Sequence, residues 1–175
     1  GGSKVESMSA PAFERLKVLI VEDNVHMRAL LRSLLHAIDI RDIFEAANGA
    51  DGLAILREKR PDLVLSDLAM QPVDGIALTR EIRTSETSPN PFVPIIMISG
   101  HTEKHCVEAA RDAGVTEFLA KPITAQNLYS RIAEIVERPR PFVRAEEFFG
   151  PDRRRRAKRE FGGPFRRHDD EVEIR

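Results

Sequence analysis

Five short apolar runs, each followed by a stretch of helical periodicity, constrain this chain more than any other feature. The first, "LKVLIV" (16–21), is rich in β-branched residues and has the length of a strand buried on both faces. "DIFEAA" (42–47), "DLVLSD" (62–67), "PIIMIS" (94–99) and "TEFLA" (116–120) repeat that pattern. After the first run, "NVHMRALLRSLLHAI" sets Met27, Leu30, Leu31, Leu34, Leu35 and Ile38 three and four residues apart. That spacing predicts one apolar face of an amphipathic helix. A second helix is expected through Leu53 and Leu56, after an Asn48-Gly49 loop. A third is expected over "GIALTREIRTS", ended by the turn-rich "SPNPFVP". "EKHCVEAARDAG" predicts a fourth with Gly114 as its C-cap. "TAQNLYSRIAEIVER" predicts a fifth with Thr124 as its N-cap.

Regular strand–helix alternation implies an α/β fold: a doubly wound, five-stranded parallel sheet with helices on both faces. In such sheets ligands and chemistry gather where the strands end, near the point at which strand order reverses. There the sequence sets Glu22 and Asp23 after the first strand, Asp67 after the third and Ser99 after the fourth. Lys121, followed by Pro122, comes after the fifth. A single strand-end aspartate is more often a turn or cap residue. Five such groups in order on one rim point to a site. Crowded carboxylates repel one another, and a divalent cation relieves the repulsion. Hard oxygen donors favour Mg2+, which keeps some waters and accepts phosphate oxygens. An aspartate beside such an ion can attack phosphorus. The transferred charge then needs a cation such as lysine. His26, His36, His101 and His105 lack metal-ligand spacing and are expected at the surface or in packing. Cys106 lies at an apolar-face position of its helix and is expected in the core. As the one cysteine, it allows no intrachain disulfide.

Together "VLIVEDN", "DLVLSDLAMQPVDG", "PIIMISG" and "FLAKPI" make residues 16–138 resemble a response-regulator receiver domain, the flavodoxin-like fold of the chemotaxis regulators. The resemblance implies that Asp67 accepts phosphate from a histidine kinase or phosphotransfer protein. It implies Glu22, Asp23, Asp67 and the Ala69 carbonyl as Mg2+ ligands. Ser99 matches the switch hydroxyl, Lys121 the phosphate-contacting lysine and Phe118 the switch aromatic. The acidic pair is Glu-Asp rather than Asp-Asp, and the proline of "MQPVDG" comes one residue later than in the commonest form. Gly100 replaces the usual alanine, and Phe118 has no phenolic hydroxyl. Such a domain transfers phosphate only to itself and hydrolyses it, so no enzyme in the ordinary sense is expected.

The formal charge of -1 conceals an asymmetry. Residues 139–175 carry eleven Lys and Arg against eight Asp and Glu, leaving sixteen against twenty elsewhere. Pro139 and Pro141 stop the last helix. The segment beyond them is too short and too charged to build its own core, and a largely disordered C-terminal extension is expected. It leaves no room for a DNA-binding domain. No run approaches the roughly 20 apolar residues of a membrane span, no signal peptide is visible, and the cytoplasm is expected. Residues 1–15 read as a tag remnant and an N-terminal arm.

Charge runs are most often solvated appendages. This one is selective in composition: from Arg140 to His168 only Lys158 breaks the preference for arginine. Arginine binds phosphate bidentately, stacks on flat rings and matches the guanine edge. Phe142, Phe148, Phe149, Phe161 and Phe165 are interleaved with the arginines, as base stacking requires. RNA would satisfy this loosely and cyclic di-GMP compactly. "RAEEFFGPDRRRR" after a receiver is similar to the arginine-rich extension of the Cle family of CheY-like cyclic di-GMP effectors. That resemblance implies cyclic di-GMP contacts from Asp152, Arg153, Arg154, Arg155 and Arg156 first. Arg140, Arg144, Phe149, Arg166 and Arg167 come next. It also implies docking on the flagellar motor switch, with control of motility and surface attachment. A stand-alone phosphorelay receiver with a passive or RNA-binding basic tail is the alternative.

Overall fold

The computed structural model describes residues 13–71, 73–145 and 148–152. Its main sheet contains β1 (Lys17–Val21), β2 (Asp42–Ala46), β3 (Leu63–Asp67), β4 (Ile95–Ser99) and β5 (Glu117–Ala120). All pairs are parallel and the spatial order is β2-β1-β3-β4-β5. The connecting helices are α1 (Val25–Ala37), α2 (Gly49–Lys59), α3 (Gly75–Thr84), α4 (Lys104–Ala113) and α5 (Ala125–Glu137). This is the expected flavodoxin-like arrangement.

The apolar runs are continuous because both sheet faces are covered. Val18, Ile20, Leu65, Ile96 and Ile98 pack with Leu31 and Leu35 of α1 and with Leu128 and Ile132 of α5. The alternate residues Leu19, Val21, Val64 and Ile95 face Leu56, Leu78 and Ile82 of α2 and α3. Each fully buried aliphatic side chain stabilises the fold by about 1.5–3 kcal/mol. The buried stripe of α1 is narrower than its periodicity suggests: Leu31 and Leu35 are buried, whereas Leu30 is exposed. Asn24, Asn48, Asp74 and Thr124 cap α1, α2, α3 and α5 through their side chains. Gly114 ends α4 in the left-handed region, φ 109°, where a Cβ would be strained.

The chain does not leave the folded body at Pro139. β6 (Phe142–Ala145) and β7 (Phe148–Pro151) form an antiparallel hairpin with Val143 opposite Gly150. The hairpin buries Phe142 and Val143, and β7 lies against α3 and α4. Phe13, placed in the N-terminal arm by the sequence, belongs to the core and stacks on Tyr129. At the outer edge of the sheet, Arg131 of α5 donates from Nε to the carbonyl of Phe118 at 3.3 Å.

Candidate functional site at the strand ends

The strand order reverses at β1, which pairs with β2 on one side and β3 on the other. That topology brings the loop after β1 beside the end of β3. Glu22, Asp23 and Asp67 each place a carboxylate oxygen within 4.8 Å of the others. Glu22 and Asp67 are 1% and 5% exposed, whereas Asp23 is open to solvent. Lys121, just beyond β5, sets Nζ 3.6 Å from Asp67 Oδ1. Ser99 closes β4 on the same rim.

The backbone shapes this pocket as much as the side chains do. The Asn24 N–H donates to Glu22 Oε2 at 3.0 Å, at the start of α1. The N–H groups of Ala69 and Gln71 approach Asp67 Oδ1 and Asp23 Oδ2 at 3.5 and 3.4 Å. Arg28 donates to the Glu22 carbonyl at 2.8 Å and also reaches Glu45, fixing the acidic loop from the helix side. No sequence signal marks Arg28, since a helix-face arginine ordinarily faces water. The Ser99 hydroxyl bonds within its own loop, accepting from the His101 N–H at 2.8 Å. Phe118 is half-buried and packs against the small cluster of Met97, Ala110 and Val115.

Burial, reinforced by Asp67 and Asp23, pushes the Glu22 carboxyl up to about 7 against the opposing pull of the Asn24 N–H. Glu22 Oε1 is buried without a hydrogen-bond partner among the described residues. An orphaned oxygen, a raised carboxyl and three converging hard donors fit a magnesium ion, and Glu22, Asp23 and Asp67 would hold it. Without metal, a buried carboxyl with a raised value prefers its proton in the folded state. Stability is then full below the unfolded value of 4.5 and falls as pH rises toward about 7. Thermal melts in chelator should therefore show stability dropping by on the order of 2 kcal/mol between pH 5 and pH 7.5. Saturating Mg2+ or Glu22→Gln should flatten that slope. An unchanged slope in Glu22→Gln would assign it to other groups.

The tail candidates among the described residues lie apart from this rim. Arg140 sits at the opposite end of the sheet, donating from Nη2 to Glu117 Oε2 at 2.9 Å. Arg144 and Phe149 are backbone partners in the hairpin. The Asp152 N–H donates to the Pro141 carbonyl at 2.9 Å. Arg153, Arg154, Arg155, Arg156, Arg166 and Arg167 lie outside the described residues. His26, His36, His101 and His105 are exposed. Cys106 is half-buried rather than core, its Sγ 3.6 Å from Glu103 Oε1 at the start of α4.

Among the described residues, no helix is long and apolar enough to cross a membrane. The family model for the response regulator receiver domain matches residues 18–133. Chemotaxis protein CheY-3 of Vibrio cholerae is 31% identical over 131 residues, covering 75% of this chain and 99% of that protein. The structure of Vibrio cholerae CheY4 superposes with a TM-score of 0.63 at 26% identity, covering 69% of this chain and 98% of that one. The receiver domain of a Pseudomonas aeruginosa PAO1 sensor histidine kinase gives 0.62 at 27% identity, with 70% and 98% covered. That structure has a magnesium ion coordinated in its active-site cleft. The family-model match spans Glu22, Asp23, Asp67 and Lys121. The chain accordingly belongs to the response regulator receiver domains, the CheY-like proteins of two-component signalling.

Proposed function

We propose that this protein is a two-input signalling adaptor: a receiver phosphorylated on Asp67, with an arginine-rich tail that binds cyclic di-GMP. The observation that carries the first input is Lys121 Nζ at 3.6 Å from a nearly buried Asp67 carboxylate flanked by Glu22 and Asp23. An Asp67 oxygen bonds to phosphorus as the donor's bond to phosphorus breaks, and the donor leaves with that electron pair. Lys121 lies where the added negative charge develops, and Glu22 and Asp23 would hold the magnesium that neutralises the phosphoryl oxygens. The phosphate donor is a histidine kinase or phosphotransfer protein.

The second input rests on the tail's composition: four consecutive arginines, Arg153 to Arg156, follow Asp152 and are flanked by Phe148, Phe149, Phe161 and Phe165. Guanidinium groups pair bidentately with phosphates and guanine edges, and the rings stack on purines. Docking on a target such as the flagellar motor switch is the output, giving control of motility and attachment. Calorimetry should give an affinity for cyclic di-GMP at least about tenfold above that for cyclic di-AMP, the worth of one or two lost edge contacts. Replacing Arg153–Arg156 with alanine should remove the heat. Equal affinity for the two dinucleotides would rule out guanine reading. A passive or RNA-binding tail is the second reading. It is favoured by CheY-3, 99% of whose length is matched by 75% of this chain. Tighter binding of mixed RNA than of the dinucleotide would select it.

A further inference from the structure

Of the groups around the acidic rim, Arg28 grips the backbone of the acidic loop. It stands near the start of α1, and its Nη1 donates to the Glu22 carbonyl at 2.8 Å. Its Nε donates to Glu45 Oε1 at 3.2 Å. Glu45 lies on β2, and its other oxygen accepts from Arg32 Nε at 2.6 Å. Arg28 and Arg32 are four residues apart on one helix and so share a face. An Arg–Glu–Arg group therefore joins the edge strand, the first helix and the loop that follows β1.

The effect of that group falls on the two acidic residues. A peptide unit is planar, so fixing the Glu22 carbonyl fixes the plane through which the chain enters Asp23. Glu22 is then tethered at three points. Its N–H donates to the Ala46 carbonyl at 3.0 Å, its own carbonyl accepts from Arg28, and its Oε2 accepts from the Asn24 N–H at 3.0 Å. Asp23 is exposed, and the Gln71 N–H approaches its Oδ2 at a loose 3.4 Å. Its orientation depends on the backbone it inherits from Glu22. As a contribution to stability, a partly exposed ion trio is minor. Its effect is on geometry.

Charge and positioning make opposite predictions for Arg28. A guanidinium close to a cation site repels the cation, so charge alone predicts that removing Arg28 improves Mg2+ binding. The structure weakens that repulsion. Glu45 meets the Arg28 charge directly, and Arg32, the unbalanced member, is 39% exposed and screened by salt. Positioning predicts the reverse sign, because a carboxylate held out of place loses affinity for the ion.

We propose that Arg28 is a positioning residue of the acidic pocket. Oriented by Glu45, it holds the Glu22 carbonyl and thereby sets how tightly Glu22 and Asp23 take Mg2+. The statement rests on the magnesium reading of that pocket.

Thermal melts of the full, chelator-stripped chain against increasing Mg2+ test it, since an ion that binds only the folded state raises the melting temperature. Arg28→Met keeps the aliphatic stem and the helix propensity but removes the donors. Its half-saturating Mg2+ should rise roughly tenfold, as when a partner that orients a metal ligand is lost. Labelling by acetyl phosphate should fall steeply at low Mg2+ and recover as Mg2+ saturates. A purely structural role would lower the metal-free melting temperature and leave the half-saturation point in place. Glu45→Gln should weaken Mg2+ in the same direction, and adding it to Arg28→Met should weaken it no further. Additive losses would overturn the part given to Glu45. Should Arg28→Met fail to fold, Arg28→Lys, which cannot bridge both oxygens, carries the same readouts. Half-saturation equal to or below the parental value in the Arg28 variant overturns the proposal and leaves the magnesium reading standing. If the parent itself does not respond to Mg2+, that reading falls and the proposal falls with it.

Discussion

Asp67→Asn will take no phosphoryl group from acetyl phosphate and Mg2+, whereas the parent will gain one, as read by intact mass. The amide has nearly the volume of the carboxylate, so the packing at the end of β3 survives. It lacks the anionic oxygen that would attack phosphorus, and it withdraws one of the three carboxylates from the acidic pocket. The loss should be complete rather than graded, because Glu22 and Asp23 stand on a different strand end. The same change removes a negative neighbour from Glu22, which Asp67 helps to push up toward 7. Asp67→Asn should therefore be as stable as the parent or more so in chelator at neutral pH. Labelling that survives the substitution would move the phosphoacceptor elsewhere.

Gly75→Ala should do the greatest damage to folding of any single methyl addition here. A Cβ on Gly75 would collide with the Asp67 carbonyl and lie 2.7 Å from Met97 Sδ. One of those atoms is backbone on the strand that carries Asp67, and the Gly75 N–H is itself bonded to the Leu68 carbonyl at 2.9 Å. Met97 is fully buried and cannot swing away into solvent. Overpacking of this kind costs about 1–3 kcal/mol, more where backbone must move. Urea denaturation should show that loss, and acetyl phosphate labelling should slow because the end of β3 is displaced. A variant of parental stability and parental labelling rate would mean that α3 shifts freely against β3. Gly100 makes the opposite control: its added Cβ would approach only Lys121 Cδ at 4.0 Å, so Gly100→Ala should be nearly neutral for stability.

The sheet and the acidic rim were legible because they derive from period and position. "DLVLSD" and "PIIMIS" contain β3 and β4 nearly to the residue, since strands covered on both faces leave no polar position to confuse the reading. Thr124 and Gly114 announced the ends of α5 and α4 through local chemistry alone. The hairpin was a different matter. "FVRA" and "FFGP" are two aromatic-bearing runs separated by two residues, which is a hairpin spacing. The surrounding charge and prolines outweighed it. What orders β6 and β7 is the body they lie on, and a neighbour distant in sequence has no local signature. Arg83 of α3 was illegible for the same reason: its acceptors are carbonyls of Pro91, Val93 and Gly114, and any residue supplies a carbonyl. Leu30 and Cys106 show the converse error, in which helical spacing suggests burial but the facing surface is not there to receive the side chain.

The guanidinium of Arg131 over the Phe118 carbonyl has one more consequence. β5 is the last strand on its side of the sheet, and an unpaired outer strand invites a copy of the molecule to add itself there. A bulky cation seated on that carbonyl makes such stacking costly, because the incoming backbone would have to evict it and then lie beside its charge. An outer strand guarded in this way favours copies of the molecule that stay separate from one another.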